Sequence, residues 1–236
     1  MNRTLTRAFA RSALTIACGL AAGWLGQRPS LAADPDPSLF ESEIAAYEQW
    51  DRQNSFPQGA ILFAGSSSIR LWQTAESFPN LSVINRGFGG STIADVNHFA
   101  DRIVVKYKPR VIVFYAGDND IAAGQSPDKV FGDFETFAKQ VRQRLPSTQI
   151  IYLPIKPSPA RWKLWPQMQA VNARVEQLSQ ENDRIIYVDT ASPMLGPDGQ
   201  PRPELFLDDG LHMNDKGYRV WTEILAPVLH DALRHE

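Results

Sequence analysis

Four short stretches of this chain carry residue types that support nucleophilic chemistry. The first is a run of three serines, residues 66–68, which follows an apolar stretch, 60–64, and Gly65. This pattern predicts a strand that turns into a helix, and the free N–H groups at a helix start favour negative charge. A serine there suits a nucleophile whose reaction creates an oxyanion. Gly-Ser-Ser-Ser is also ordinary loop and helix-capping sequence, so the run alone leaves both interpretations open.

Two further stretches offer hydrogen-bond donors for such an oxyanion. Residues 85–92 contain three glycines within four positions, which let the backbone approach a ligand closely. These glycines fit neither a dinucleotide fingerprint nor a phosphate-binding loop. Asn119 follows a later apolar run, and its amide can donate, with Asp118 and Asp120 beside it as candidates to orient it. A flexible turn and an Asx turn are the respective alternatives.

The fourth stretch places an aspartate and a histidine three residues apart. Asp209 and His212 enclose Gly210, just before the last helical pattern. A tight turn would let the carboxylate accept from one ring nitrogen and hold the other toward a nucleophile, as a Ser-His-Asp triad requires. A histidine in a polar loop is otherwise simply solvated. Together the four stretches form a full set for acyl transfer, and this combination favours the catalytic interpretation.

Five short apolar runs, rich in β-branched and aromatic residues, predict strands that are buried on both faces. They cover residues 61–64, 81–85, 111–116, 149–153 and 185–188. Helical patterns between and after them cover residues 69–78, 91–107, 127–145, 164–182 and 215–233. The alternation predicts an α/β fold, a three-layer α/β/α sandwich around a five-stranded parallel sheet. A flavodoxin-like strand order, 2-1-3-4-5, fits this pattern, and such sheets bind ligands at the carboxyl ends of their strands.

The first 33 residues predict an export signal. Arg3, Arg7 and Arg11 precede residues 12–26, a run of small and apolar residues that is shorter than the ~20 residues of a membrane span. Small residues at 30–33 offer a cleavage site, so we expect an exported protein, periplasmic or secreted. An uncleaved membrane anchor and a lipoprotein lipidated at Cys18 are the alternatives.

The rest of the chain predicts one domain behind a short N-terminal extension. Residues 34–58 combine a proline-broken linker with an amphipathic helix, in which Phe40, Ile44, Tyr47 and Trp50 recur at helical spacing. We expect this helix to pack against the sheet. Residues 59–236 then supply the strands and helices of a single domain.

The composition argues against several classes of function. The chain is 43% hydrophobic and 21% charged, a balance typical of a globular protein with one sizeable core. The net charge of -2 and the pI of about 6.1 leave no basic surplus for nucleic acid or an anionic membrane. Cys18, the one cysteine, lies in the leader, so no disulfide is expected. The four histidines lack metal-binding spacing, which argues against a metal site.

The order and content of the four stretches resemble the SGNH hydrolases, also called GDSL-type esterases/lipases. The resemblance covers residues 61–225, and residues 117–120 (Gly-Asp-Asn-Asp) and 209–212 (Asp-Gly-Leu-His) match two of the family's blocks in full. In the first block, usually Gly-Asp-Ser, the aspartate is replaced by Ser66. Ser66 and Ser68 are therefore alternatives for the nucleophile, but the Gly-x-Ser spacing favours Ser67.

This resemblance implies roles for individual residues. Ser67 would be the nucleophile of a serine esterase, His212 its general base and Asp209 the residue that orients the imidazole. The backbone N–H groups of Ser67 and Gly90 and the side chain of Asn119 would form the oxyanion hole. The reaction would pass through an acyl-enzyme and need no cofactor or metal.

The loop after the fourth strand supplies candidates for substrate binding. Arg161 and Trp162, in a loop after the fourth strand, are candidates for binding a sugar face or an anionic group, although the tryptophans at 162 and 165 could equally be packing residues. We expect a small-molecule or glycan ester with a short acyl chain, such as an O-acetyl group on a carbohydrate. A lysophospholipase- or thioesterase-type acylhydrolase is the main alternative. A non-catalytic carbohydrate-binding module on the same fold is another.

Overall fold

The computed structural model describes residues 36–234, and the predicted leader with Cys18 lies outside this range. Five strands form one parallel sheet in the order β2-β1-β3-β4-β5, which confirms the predicted architecture. The strands are β1 (Ile61–Gly65), β2 (Val83–Gly87), β3 (Val111–Tyr115), β4 (Gln149–Tyr152) and β5 (Ile185–Tyr187). Every residue of β1 and β3 is buried, as expected for central strands covered on both faces.

Eight α-helices accompany the strands in the described part of the chain. They are α1 (Glu41–Gln53), α2 (Ser67–Arg70), α3 (Thr74–Ser77), α4 (Ile93–Ile103), α5 (Asp118–Ala122), α6 (Pro127–Arg144), α7 (Trp165–Gln180) and α8 (Asp215–Ala232). Short 3-10 turns cover Pro37–Phe40, Val105–Tyr107, Pro159–Leu164, Ser192–Met194 and Pro203–Leu205. None of the helices in residues 36–234 is long and apolar enough to cross a membrane.

Alternate side chains of the strands enter two separate cores. Leu62 and Phe114 pack with helices α1, α4, α6 and α7 on one face, while Phe63 and Val113 pack with Trp221 and its neighbours on α8 on the other. This is the two-residue period of a strand that is buried on both sides. The sheet therefore forms the middle of three layers. Because helices cover both of its faces, a ligand site is expected at an edge of the sheet.

The register of the sheet brings the ends of three strands together. Gly65 at the end of β1 lies between Gly87 of β2 and Tyr115 of β3. Because the strands are parallel, the segments that follow them leave the sheet at the same edge. These segments carry the serine run, the glycine-rich turn and Asn119.

Several predicted boundaries shift by one or two residues, and the helix predicted over 91–107 ends at Ile103 before the 3-10 turn Val105–Tyr107. Two differences are explained by side-chain contacts. The predicted helix over 69–78 is two short helices, α2 and α3, because the Asn85 side chain donates to the carbonyls of Ile69 and Trp72, 2.7 and 3.1 Å away. A continuous helix would use these carbonyl oxygens as acceptors for its own backbone N–H groups. β2 lies two residues later than predicted, because Arg86 is buried in the sheet and paired with Asp51 at 2.7 Å.

Helix α1 packs against one face of the sheet, as expected, beside the edge that carries these segments. Ile44 is fully buried in the core, and the Tyr47 hydroxyl donates to the carbonyl oxygen of Gly87. Asp51 accepts from the buried Arg86 and, at 2.6 Å, from Lys106. Trp50, by contrast, is half exposed and lies against the Arg86 guanidinium.

Candidate active site

The turn after β1 exposes one of the three serines. Gly65 has φ +138°, and a Cβ there would lie 1.8 Å from the carbonyl oxygen of Tyr115, so only glycine allows this passage from strand to helix. Ser66 and Ser68 are buried, whereas Ser67 is partly exposed. Ser67 is the first residue of α2, and its N–H therefore has no acceptor within the helix.

Ser67, His212 and Asp209 form one hydrogen-bonded chain. Ser67 Oγ lies 3.0 Å from His212 Nε2, and His212 Nδ1 lies 2.6 Å from Asp209 Oδ2. The other carboxylate oxygen accepts from the backbone N–H groups of Leu211 and His212, at 2.8 and 2.9 Å. The tight turn expected around Gly210 is present, with φ +62° at that glycine.

The partners of His212 define its tautomer. The hydrogen bonds from the His212 ring and from the backbone N–H of Leu211 lower the pKa of Asp209 to about 2, so this carboxylate is ionised at neutral pH and can only accept. Nδ1 must then carry a proton, and in the neutral ring Nε2 is left to accept the Ser67 hydroxyl proton. This arrangement can activate a serine for attack on a carbonyl carbon.

The glycine-rich turn after β2 lies beside the serine. Gly90 has φ +80°, and a Cβ on it would meet no atom within 4 Å, so its backbone borders open space. A Cβ on Gly89, by contrast, would lie 2.6 Å from Arg70 Nη1. The Ser91 hydroxyl donates to the carbonyl of Phe88 at 3.0 Å, which holds the turn closed on itself. The position of Gly90 fits a backbone donor to an oxyanion.

Asn119 lies in α5, a short helix that was not predicted. Its Nδ2 donates to the carbonyl oxygen of Ser91 at 2.9 Å, which ties it to the glycine-rich turn. Gly117 starts this helix with φ +119°, and a Cβ there would lie 2.7 Å from Ile155 Cδ1. An amide group has two N–H bonds, so Asn119 can donate to Ser91 and also to a ligand.

The flanking aspartates do not hydrogen-bond to the Asn119 side chain directly. Asp120 instead accepts from the backbone N–H of Ile93 at 3.0 Å, and burial raises its pKa to about 7. Asp118 pairs with Arg161, whose Nη1 lies 3.1 Å from Asp118 Oδ2. The group that contacts the Asn119 side-chain oxygen is Arg161, through Nη2 at 3.0 Å.

Lys156 is a further charged residue at the site, and its role was not recognised in the sequence. Its side chain is 1% exposed, and Nζ contacts Ser68 Oγ and Tyr115 OH, both at 3.1 Å, and Asp118 Oδ2 at 3.4 Å. Burial lowers the pKa of Lys156, against the attraction of Asp118. One signal could have identified it: a lone lysine that ends the apolar run 150–155.

The tryptophans after β4 have mainly a packing role. Trp162 and Trp165 stack with ring centroids 5.9 Å apart, and Trp165 is buried in the core that Trp162 also contacts. The Arg161 side chain is 18% exposed and paired with Asp118. Neither Arg161 nor Trp162 forms an open platform for a sugar. The assignment of these two residues to substrate binding therefore stays a prediction.

An open groove adjoins the serine and histidine segments. It has a volume of about 850 Å³ and is lined partly by Leu71, Leu207, Met213 and Tyr218. Leu71 and Leu207 are 45% and 49% exposed. Their backbone N–H groups donate to the carbonyl oxygens of Ser67 and His212, at 2.9 and 2.8 Å. The groove is therefore linked through the backbone to the segments that carry the serine and the histidine, although Ser67 and His212 do not themselves line it.

No cluster of His, Cys, Asp and Glu side chains in residues 36–234 has an arrangement that could hold a metal ion. The groups present for chemistry are the serine, the histidine, the carboxylates and the N–H donors. Such a set acts through proton transfer and hydrogen bonding.

The family model for GDSL-like lipases and acylhydrolases matches residues 54–220. This span includes the serine run, the glycine-rich turn, Asn119, Asp209 and His212. No curated protein sequence matches the chain significantly.

Solved structures share the fold at low sequence identity. A GDSL-like lipase from Bacteroides thetaiotaomicron superposes with a TM-score of 0.69 at 22% identity, covering 84% of this chain and 98% of that one. A carbohydrate esterase of family 3 from Talaromyces cellulolyticus gives 0.59 at 19% identity, covering 75% and 98%. An acetyl esterase variant with an acetate ion gives 0.58 at 19% identity, covering 74% and 97%. At these identities the similarity shows the fold alone.

Proposed function

The chain belongs to the GDSL-like lipase/acylhydrolase family and is a carboxylic ester hydrolase, and we propose that Ser67 is its nucleophile, with His212 as general base and Asp209 as the group that orients His212. One observation carries this proposal. The three side chains form a continuous hydrogen-bonded chain, with 3.0 Å between Oγ and Nε2 and 2.6 Å between Nδ1 and Oδ2.

The geometry implies a two-step reaction. Nε2 of His212 takes the Ser67 proton as Oγ attacks the ester carbonyl, and the imidazolium then returns that proton to the leaving alcohol. The Asp209 carboxylate stabilises the transient imidazolium. Water attacks the resulting acyl-enzyme in the second step, with His212 again as base, and the carboxylic acid leaves.

The negative oxygen of each tetrahedral intermediate needs donors, and the site offers three candidates. They are the N–H groups of Ser67 and Gly90 and the second N–H of the Asn119 amide. The first belongs to the opening residue of α2, and the second lies in a turn bordered by open space. Loss of one such donor typically lowers turnover by about 10²–10³-fold.

We expect the acyl group to be short, with O-acetyl groups on carbohydrates as the first candidate. The support comes from two proteins of the same fold, a carbohydrate esterase of family 3 and an acetyl esterase with an acetate ion. The packed positions of Trp162 and Trp165 remove one argument for a sugar platform, so the carbohydrate part of the proposal rests on the first of these proteins.

The groove favours a second candidate, a lysophospholipase- or thioesterase-type acylhydrolase. Leu71 and Leu207 leave about half of their surface exposed, at a position joined by backbone hydrogen bonds to Ser67 and His212. Exposed apolar surface in a groove next to the segments that carry Ser67 and His212 suits a ligand with a longer hydrocarbon chain.

One experiment tests the reaction and separates the two substrates. Hydrolysis of p-nitrophenyl esters from acetate to palmitate is measured for the wild type, Ser67→Ala and His212→Ala. We expect both variants to lose about 10⁴-fold or more in kcat while their thermal midpoints stay close to that of the wild type. His230→Ala, at an exposed histidine, is the control. Full activity in folded Ser67→Ala would refute the assignment.

The chain-length profile then decides between the candidates. A short-chain esterase works fastest on acetate and is insensitive to Leu71→Ser and Leu207→Ser. A longer-chain acylhydrolase has its optimum beyond butyrate, and both substitutions shift that optimum toward shorter esters. Leu39→Ser is the matched control, because Leu39 is 72% exposed and does not line the groove.

A further inference from the structure

The two ends of the Asn119 amide have partners of opposite kind. Its Oδ1 lies 3.0 Å from Arg161 Nη2, and its Nδ2 lies 2.9 Å from the carbonyl oxygen of Ser91. A guanidinium can only donate hydrogen bonds, and a backbone carbonyl can only accept them. If the amide turned over, it would place N–H against N–H at one end and oxygen against oxygen at the other. Both contacts therefore select the same orientation.

We infer that Arg161 is a positioning residue for ester hydrolysis: it holds the Asn119 amide so that an N–H group, and not the oxygen, is presented to the oxyanion. This inference rests on the proposed function, because it needs Asn119 to act as an oxyanion donor. It gives Arg161 a role different from substrate binding. The guanidinium acts through another side chain and need not touch the substrate.

Buried charged residues also hold the Arg161 guanidinium in place. Arg161 Nη1 lies 3.1 Å from Asp118 Oδ2, and the same oxygen lies 3.4 Å from Lys156 Nζ. Asp118 and Lys156 are both buried, so the carboxylate has little freedom to leave the guanidinium. The Arg161 guanidinium thus faces a carboxylate that it shares with Lys156, and its direction is set by partners that do not face solvent.

The backbone around Arg161 connects the two halves of the site. Arg161 lies in the 3-10 turn Pro159–Leu164, and the N–H of Ala160 donates to the carbonyl of Gly210 at 3.0 Å. Gly210 lies between Asp209 and His212. The same short turn therefore contacts the histidine loop through its backbone and the Asn119 amide through a side chain. A positioning group on this turn therefore holds Asn119 at a fixed place relative to His212.

Three possible roles of Arg161 predict different effects of its substitution: substrate binding, support of the fold, and positioning of Asn119. If Arg161 contacted the substrate directly, its loss would raise KM. If it only supported the fold, its loss would lower the thermal midpoint and affect every variant background equally. A positioning residue affects kcat, and only while Asn119 is there to be positioned.

The test compares Arg161→Met and Arg161→Lys in the wild type and in Asn119→Ala, with p-nitrophenyl acetate as the probe. In the wild-type background we expect Arg161→Met to lower kcat by about 10–100-fold, part of the loss that follows removal of an oxyanion donor, with KM changed less than about 3-fold. Arg161→Lys retains a donor and should recover part of kcat. In Asn119→Ala, Arg161→Met should change kcat by less than about 3-fold.

Arg174→Ala is the matched control, because Arg174 also pairs with an aspartate, Asp128, but on the surface between α6 and α7. We expect it to leave kcat and KM unchanged. Thermal unfolding and circular dichroism verify that each variant is folded. If Arg161→Met does not fold, the comparison of Arg161→Lys in the two backgrounds carries the same test.

Three results would overturn the inference: an equal loss of kcat in both backgrounds, a rise in KM with kcat unchanged, and unchanged kcat and KM in Arg161→Met. Ser67→Ala, measured alongside, separates this failure from that of the proposed function. Activity retained in Ser67→Ala refutes the proposed nucleophile, whereas an inactive Ser67→Ala with an unaffected Arg161→Met refutes only the role of Arg161.

Discussion

Asp209 uses both oxygens of its carboxylate, and the two oxygens have different tasks. Oδ2 contacts the His212 ring, while Oδ1 accepts the N–H groups of Leu211 and His212 and so shapes the turn. The hydrogen bond from His212 is the main reason why the pKa of Asp209 falls to about 2. The carboxylate therefore stays ionised down to pH about 3, and loss of activity between pH 4 and 7 cannot come from its titration.

Replacement of Asp209 by asparagine separates these two tasks. The amide oxygen can still accept the two backbone N–H groups, so the turn should persist. The amide N–H₂ group then meets His212 Nδ1 and favours the tautomer with its proton on Nε2, which cannot accept from Ser67. We expect Asp209→Asn to lower kcat on p-nitrophenyl acetate by about 10³–10⁴-fold with a thermal midpoint near that of the wild type.

Asp208→Asn is the control for this substitution, since Asp208 is the exposed neighbour. It should retain full activity. A folded Asp209→Asn with more than a tenth of the wild-type kcat would contradict the orienting role of Asp209.

At this scale the sequence predicts the residues whose partners are close along the chain. Asp209 and His212 are three residues apart and share one turn, so their spacing is informative. Arg161 and Asn119 are 42 residues apart, and Lys156 and Ser68 are 88 residues apart. Pairings of this kind depend on strand order and side-chain reach, and no local pattern contains them. For this reason Arg161 could be placed near the site but not beside Asn119.

The link between α5 and α4 contains a buried carboxylate with one free oxygen. Asp120 is fully buried; Oδ1 accepts from the N–H of Ile93 at 3.0 Å, while Oδ2 has no hydrogen-bond partner among the described residues. Burial raises its pKa from the ordinary 3.8 to about 7. Between these values the native state keeps a proton that the unfolded chain has lost. Stability should therefore fall as pH rises from about 4 to 7.

Asp120→Asn removes this pH dependence. Asparagine keeps an oxygen for Ile93 and never ionises, so the penalty disappears, on the order of a few kcal/mol above pH 7. We expect the variant to have a higher thermal midpoint than the wild type, by several degrees at about 2–4 °C per kcal/mol, with a larger gain at pH 8 than at pH 5. Thermal midpoints of the wild type and the variant, measured at pH 5 and at pH 8, test this prediction.

The exposed Asp183 provides the control, and Asp183→Asn should shift the midpoint little at either pH. An equal loss of stability in Asp120→Asn at pH 5 and pH 8 would show that the carboxylate is not protonated in the native state.

The strands were predicted from the sequence, whereas helix α5 and the break between α2 and α3 were not, and each outcome has a physical reason. The strands were found because runs such as residues 111–115 are apolar throughout, as strands covered on both faces must be. Helix α5 was not found, because Gly117 and its aspartates have low helix propensity and are held by contacts to Ile93 and Arg161. The break between α2 and α3 depends on Asn85, which belongs to another strand.

For the molecule as a whole, topology explains why dispersed residues meet. The sheet order β2-β1-β3 places the ends of the first three strands side by side, so the serine, the glycine-rich turn and Asn119 share one edge. The histidine loop reaches the same edge from the start of α8, whose core residues Trp221, Leu225 and Leu229 are fully buried against the sheet. The three layers and the parallel sheet were predictable from the alternation of strands and helices, but the strand order is not visible in the sequence. The groove beside Leu71 and Leu207 emerged only from the packing of α8 against the segment after β1.

The leader gives a prediction about the whole molecule. Arg3, Arg7 and Arg11 followed by the apolar run 12–26 indicate export, with cleavage near Ala33. Residues 36–234 supply the contacts described above for the site, and we expect the cleaved protein to be active on p-nitrophenyl acetate. Intact-mass measurement after expression in a bacterium with its export signal should give a chain that begins near Ala33 or Asp34. A mass that includes residues 1–26 would indicate a retained anchor, and a lipid-sized increment on a chain that starts at Cys18 would indicate a lipoprotein; either mass would contradict cleavage at Ala33.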